Sequence, residues 1–221
     1  EMGGGATSDA YMHATTACVL AIDLGLHRRL SASRSAEPAR PEEKQRVLWG
    51  CYVLDKTLAA ALERPMMLRR NDLDVDLPST EERDEYDLFV NDRSRHYIAR
   101  DRVSTMADVK CRCISSFRAH CELMMQLEQI LHDVYSPKAK GDRKAGETQG
   151  YMQSVVKLDA QLKWWRTSLP QHLQWSSELD PSAQEDVPPQ MLTMRAWYSA
   201  CILLLHRPRL PLNVGSTLPI L

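Results

Sequence analysis

The sequence predicts an all-α protein: one irregular bundle of about six to eight helices, with long loops and one extended acidic crossing segment. Three observations carry this expectation. Apolar residues recur every three or four positions through five long stretches, no stretch of any length alternates apolar with polar residues, and no glycine-rich phosphate loop is present.

The first stretch covers residues 8–30, where Tyr11, Ala14, Thr15, Cys18, Ile22 and Leu26 line one helical face. Ser8 or Asp9 serves as N-cap, and Gly25 ends the helix with His27 and Arg28 at its negative pole. Pro38 and Pro41 interrupt the pattern. Glu42 and Glu43 then open a second helix, their charges suited to the positive end of its dipole, and Arg64-Pro65 stops it at about Glu63. Residues 66–78 have no helical period and read as extended, with Leu73, Val75 and Leu77 turned inward and Asp72, Asp74 and Asp76 facing solvent or basic helix ends. Residues 79–94, rich in charge and in Asn and Asp, read as an exposed loop.

A long helix is expected over residues 102–135, because Met106, Val109, Cys113, Phe117, Cys121, Met124, Leu127, Leu131 and Val134 keep the 3.6-residue beat. The Lys- and Gly-rich residues 137–146 read as a mobile connector. Met152, Val155, Leu158, Leu162 and Trp165 define the next helix, which ends before Leu169-Pro170. After a Pro-rich loop over 176–189, a last helix over 190–206 offers Leu192, Trp197, Cys201, Leu204 and Leu205 for burial, and Pro208 closes it. The 221 residues are expected to form one helical domain, with 1–7 and 210–221 peripheral and both ends reading as cuts in a longer protein.

Charge narrows the function classes. Lys plus Arg number 28 against 29 Asp plus Glu, so the chain has no excess positive charge with which to displace counterions from a phosphate backbone. No stretch reaches the roughly 18 apolar residues that a membrane span needs. The six cysteines, Cys18, Cys51, Cys111, Cys113, Cys121 and Cys201, are scattered through apolar helical surroundings, which fits reduced thiols and a nuclear or cytosolic address.

One run is more specific. Arg46, Trp49, Tyr52, Asp55 and Lys56 follow an R-x-x-W-x-x-Y-x-x-D-K pattern, Glu63-Arg64-Pro65 follows, and Asp74, Asp76, Leu77 and Pro78 complete a D-x-D-L-P crossing. This resembles the fungal-specific transcription factor domain, the regulatory region of zinc binuclear cluster transcription factors, with Glu63 standing where that family usually has Gly. Three further elements resemble the family in order. They are Ala21 to Arg28 (AIDLGLHR), Leu158-Asp159 through Trp165 with Leu169-Pro170, and Leu203 through His206, Arg207 and Pro208. The resemblance implies a nuclear, non-enzymatic domain that modulates activation by RNA polymerase II factors. It also implies DNA contact and zinc binding only through an N-terminal cluster absent from this chain, homodimerisation, co-regulator or transcription-machinery partners, and a small-molecule effector.

The residues also carry a reading of their own. Arg46, Trp49, Tyr52, Val53 and Lys56 share one helix face, an aromatic pair flanked by cations, and Asp55 is placed to hold Arg46, Arg64 or the N-terminal amides of a neighbouring helix. Trp49, Tyr52, Met124, Trp165 and Trp197 are the candidates for lining a ligand pocket, with the Met-rich stripe Met106, Met124, Met125 and Met152 as its adaptable wall or as plain core. Trp164 and Trp165 cannot both face one core.

Sharper chemistry has weaker support. Asp72, Asp74 and Asp76 lack the calcium loop's glycine and terminal glutamate, since Leu77 and Arg83 stand there. Cys111 and Cys113 point about 200° apart on a continuous helix, so with His120 and Cys121 they read as core thiols instead of zinc ligands. His27 and His206 sit at helix ends, and Asp55 and Asp159 read as structural anchors. No catalytic or metal-ligating residue is assigned. A metabolite receptor and an all-α enzyme remain the competing classes, separated by whether a pocket or a nucleophile set converges.

Overall fold

The computed structural model describes residues 7–29, 41–81, 85–86, 112–175 and 189–209. Among them lie six α-helices and no strand: α1 Thr7–Asp23, α2 Pro41–Leu62, α3 Cys113–Tyr135, α4 Pro137–Lys144, α5 Gln149–Ser168 and α6 Pro189–His206. The all-α expectation holds.

Helix α3 is the centre, packing against α2 on one side and α5 and α6 on the other, while α1 covers α2. Its position explains why its buried stripe is wider than a two-body seam needs. Leu123, Met124, Leu127, Ile130 and Val134 are all without solvent exposure, each buried aliphatic contributing about 1.5–3 kcal/mol. Small residues, Ala14, Cys18 and Ala21, form the inner face of α1 and let it close on α2.

Several expectations need correction. Ile22 is exposed and Ala21 takes the core position, because the buried face of α1 runs through positions 14, 18 and 21. Likewise Tyr151 replaces Met152 on α5, and Met191 and Met194 replace Leu192 on α6. Each error is a rotation of one residue, or about 100°, within a helix apolar on more than one side. Helix α3 does not continue upstream from Cys113, since Arg112 adopts a left-handed conformation at φ 48°. The rest of the helix expected over 102–111, with Met106 and Cys111, lies outside the described residues, as does Arg83. The connector over 137–146 contains a helix, started by Pro137 in its first turn and by Ser136, whose hydroxyl accepts from the Ala139 amide. Its polarity hid that signal. Glu85 is buried at 2% exposure, so the segment 79–94 is not uniformly an exposed loop.

The extended crossing keeps its alternation: Leu73 and Val75 are buried and Leu77 half-buried, while Asp72, Asp74 and Asp76 are exposed. Asp76 pairs with Arg29 at 3.1 Å, and the Asp74 amide donates to the His27 carbonyl at 2.9 Å. The crossing thus runs beside the turn that ends α1. Trp164 is 70% exposed and Trp165 2%, which divides the tryptophan pair as helix geometry demands.

Glu63 ends α2 at φ 52°, the left-handed conformation that glycine adopts without a Cβ penalty. The turn of the resembled pattern is therefore retained with the less suitable residue. Replacing Glu63 with Gly is expected to raise stability by roughly 0.5–1 kcal/mol, the relief of left-handed strain less the added chain entropy of glycine. Urea unfolding measures it; an unchanged or lowered midpoint would show that the turn is not strained.

Candidate functional site

Three constellations bring chemistry-bearing side chains together among the described residues. The first is built on α2. Trp49, Tyr52 and Lys56 lie on its inner face with no solvent exposure, and Asp55 is 6% exposed. The Lys56 ammonium meets the Asp55 carboxylate at 2.9 Å and Glu128 of α3 at 3.3 Å, and it donates to the Leu68 carbonyl. Asp55 accepts from the Met67 and Leu68 amides at 2.9 and 3.1 Å, whereas Glu128 accepts from the Arg70 amide at 3.2 Å and from the Tyr52 hydroxyl at 2.7 Å. Burial, reinforced by the Glu128 charge, pushes the Tyr52 hydroxyl far above its ordinary range, so it stays a donor. Trp49 donates its indole N–H to the Asp76 carbonyl at 2.8 Å and packs edge-on against Tyr52, with ring centroids 5.2 Å apart.

Asp55 therefore holds the chain that leaves its own helix. The expected partners Arg46 and Arg64, and the amides of a neighbouring helix, are not what it binds; Arg64 lies 4.3 Å over the Tyr11 ring instead. Sequence reading did not find Glu128, which lies on α3 far from the motif and carries no local signal. Pro78 is buried at the end of the crossing, and its carbonyl accepts from Arg118 at 3.2 Å.

The second constellation ties α5 to α6. His206 meets Asp159 at 3.2 Å, and Lys163 meets Asp159 at 2.6 Å. Lys163 first, then His206, hold the Asp159 carboxyl below its ordinary range. Leu158 and Trp165 are buried on the same helix, and Trp165 stacks on Tyr198 with centroids 5.8 Å apart. Arg207 and Pro208 follow in a short 3-10 turn and are exposed.

The third involves a nucleophile-type residue. Ser115 Oγ lies 2.6 Å from Glu85 Oε1 and 2.9 Å from His172 Nε2, and His172 Nε2 is 3.8 Å from the same carboxylate oxygen. The single hydroxyl proton goes to the carboxylate, so His172 must donate through Nε2–H and has no free lone pair there with which to activate Ser115. Glu85 also accepts from the Ile114 and Ser115 amides at 3.1 and 2.9 Å. The group is wired as a cap on the start of α3, which has no cap from its neighbour Arg112. Burial and the Arg112 charge hold His172 below its ordinary range.

The candidate pocket residues are dispersed. Trp49, Tyr52, Met124 and Trp165 are core, Trp197 is half-buried against it, and none of the five lines a described cavity; Met152 lines a shallow hollow and Met125 packs on the core. A cavity of about 450 Å³ opens elsewhere, beside the exit of α2. Ala59, Ala60, Leu131, Tyr135 and Leu204 give it an apolar floor, and Arg64, Arg69, Lys140 and Arg207 stand around it with Glu63 and His132.

Cys18 and Cys51 face each other across α1 and α2, each thiol donating to a carbonyl of the other helix at 3.8 and 3.9 Å. The hydrogen bond from Cys18 pulls Cys51 down to about 7, while the same contact and burial push Cys18 up. Among the described residues no three His, Cys, Asp or Glu side chains converge on a metal position, and Cys121 and Cys201 are buried thiols.

A family model described as the fungal specific transcription factor domain matches residues 1–180. The element with His206, Arg207 and Pro208 lies beyond that match. An uncharacterized transcriptional regulatory protein of Schizosaccharomyces pombe is 26% identical over 94% of this chain and 32% of its own length. Cutinase transcription factor 1 beta of Fusarium vanettenii is 26% identical over 90% of this chain and 24% of its own. Nitrogen assimilation transcription factor nirA of Emericella nidulans is 26% identical over 94% and 22%. The chain thus spans a third or less of the length of these curated relatives. No solved structure matches it significantly.

Replacing Lys56 with Met leaves the buried Asp55 and the half-buried Glu128 carboxylates without their cation. The expected loss is about 3–5 kcal/mol, against no resolvable change for Lys163 to Met at the surface. Urea unfolding of both variants checks this, and equal losses would remove Lys56 from the centre of the fold.

Proposed function

The chain belongs to the fungal specific transcription factor domain family, and on that premise we propose that it is the module of a longer nuclear transcription factor that sets the level of activation without reading DNA itself. The match over residues 1–180 carries this reading, and the named relatives, all transcriptional regulators, support it. The balanced charge, 28 basic against 29 acidic residues, also argues against this chain as the DNA-contacting part.

DNA contact and zinc then belong to a cluster outside these residues, and homodimerisation and contact with co-regulators or the transcription machinery belong to the whole factor. A non-enzymatic role is supported by the wiring around Glu85, which takes the Ser115 hydroxyl proton and accepts the first amides of α3. The mechanism would be a shift between two helix packings, driven by whatever binds one of them better.

Deleting residues 41–209 from the full-length factor in its host tests this. Transcript output from its target promoters is expected to change about fivefold or more, a coupling of ordinary regulatory size, while promoter occupancy by chromatin immunoprecipitation stays the same. Loss of occupancy together with output, or no change in either, contradicts the proposal.

A further inference from the structure

The cavity beside the exit of α2 has two features that belong together. Its floor is hydrocarbon and methyl surface, from Ala60, Leu131 and Leu204 with the Tyr135 ring, and its volume of about 450 Å³ lies within the range of small-molecule sites. Its rim is cationic: Arg64, Arg69, Lys140 and Arg207 are opposed by one carboxylate, Glu63, whose nearest pairing is with Lys140 at 3.9 Å. Arg64 is engaged with the Tyr11 ring. Among the described residues Arg69 and Arg207 hold no ion pair. Like charges converging on one concave, partly apolar surface repel each other, and an anion seated there relieves that repulsion.

We infer that this cavity binds a small amphipathic carboxylate, an aliphatic or aryl acid whose apolar body lies on the Ala60, Leu131 and Leu204 floor while its single anionic head meets Arg69 and Arg207. A polyanion fits less well, because it would leave the apolar floor uncovered, and a neutral hydrocarbon leaves the guanidinium groups unmatched. The head would join residues from the exit of α2 to the end of α6, and Lys140 adds the start of α4. A ligand that touches all three elements favours the packing in which they are close. The inference rests on the regulatory reading above, for which it names the chemistry of the effector.

Three probes with one apolar tail separate the terms: decanoate, decanol and decyltrimethylammonium, titrated calorimetrically into the 221-residue chain below their micellar range. Decanoate is expected to bind about tenfold or more tightly than decanol, and the cationic probe not at all. The double substitution Arg69→Glu, Arg207→Glu should weaken decanoate by about tenfold or more with the thermal midpoint retained, and Glu63→Gln should strengthen it. Both positions are exposed, so these variants report on the rim and not on folding. Equal affinity for the three head groups, or decanoate binding unchanged in the double variant, overturns the inference. If that happens while deletion of 41–209 still alters transcript output, the regulatory reading stands without this ligand; binding with no effect of the deletion overturns the regulatory reading instead.

Discussion

Lys56 has no solvent-exposed surface, so its ammonium must find every counter-charge and acceptor inside the protein. Its own helix supplies one, Asp55, and α3 supplies the other, Glu128; the exit loop supplies the Leu68 carbonyl. Because two carboxylates serve one lysine, their remaining lone pairs need donors, and the Met67, Leu68 and Arg70 amides with the Tyr52 hydroxyl provide them. Satisfying one buried cation thus fixes the angle between α2 and α3 and the path of the chain that leaves α2. The extended crossing follows from that path, since residues 73–78 begin directly after it and Trp49 takes hold of the Asp76 carbonyl.

The same path builds the cavity. Glu63, Arg64, Pro65, Met66 and Arg69 contribute one wall, and they stand where they do because Asp55 holds the amides of Met67 and Leu68. Opposite stand the end of α3 and the end of α6, which Tyr135 joins by donating to the Leu204 carbonyl at 2.8 Å. The motif residues on α2 therefore act on the cavity without entering it: they identify the family through a scaffold, and the charged groups that line the cavity lie at the motif's edge.

How much of this was legible in the sequence depends on the range of the interaction. The fold class and most helices followed from periodicity, and the alternation of Asp72 to Leu77 followed from the two-residue repeat of extended chain, because these are local properties. Helix α4 was missed although Ser136 and Pro137 form a proper start, since a run of Lys and Gly outweighs a cap when hydrophobic spacing is the guide. The rotations at Ile22, Met152 and Leu192 were missed because a helix between two neighbours is apolar on several faces and its period does not say which face is deepest. The carboxylate partners of Tyr52 and Ser115 escape the sequence for a different reason. Glu128 and Glu85 act across 76 and 30 residues of sequence, and nothing near either glutamate announces the contact. Large aromatic residues suggest a pocket in the sequence, but packing places those in the core and leaves the arginines beside the α2 exit around the concave surface.

The direct measurement of this account is native-state hydrogen exchange at the Met67, Leu68 and Arg70 amides, which lie in an irregular segment where exchange would ordinarily be rapid. If Asp55 and Glu128 clamp them as described, all three exchange only through global unfolding, as slowly as the core amides of α3, and Lys56→Met releases them together. Exchange of these amides at the rate of a free loop, with α3 still protected, would contradict the central role of the buried lysine.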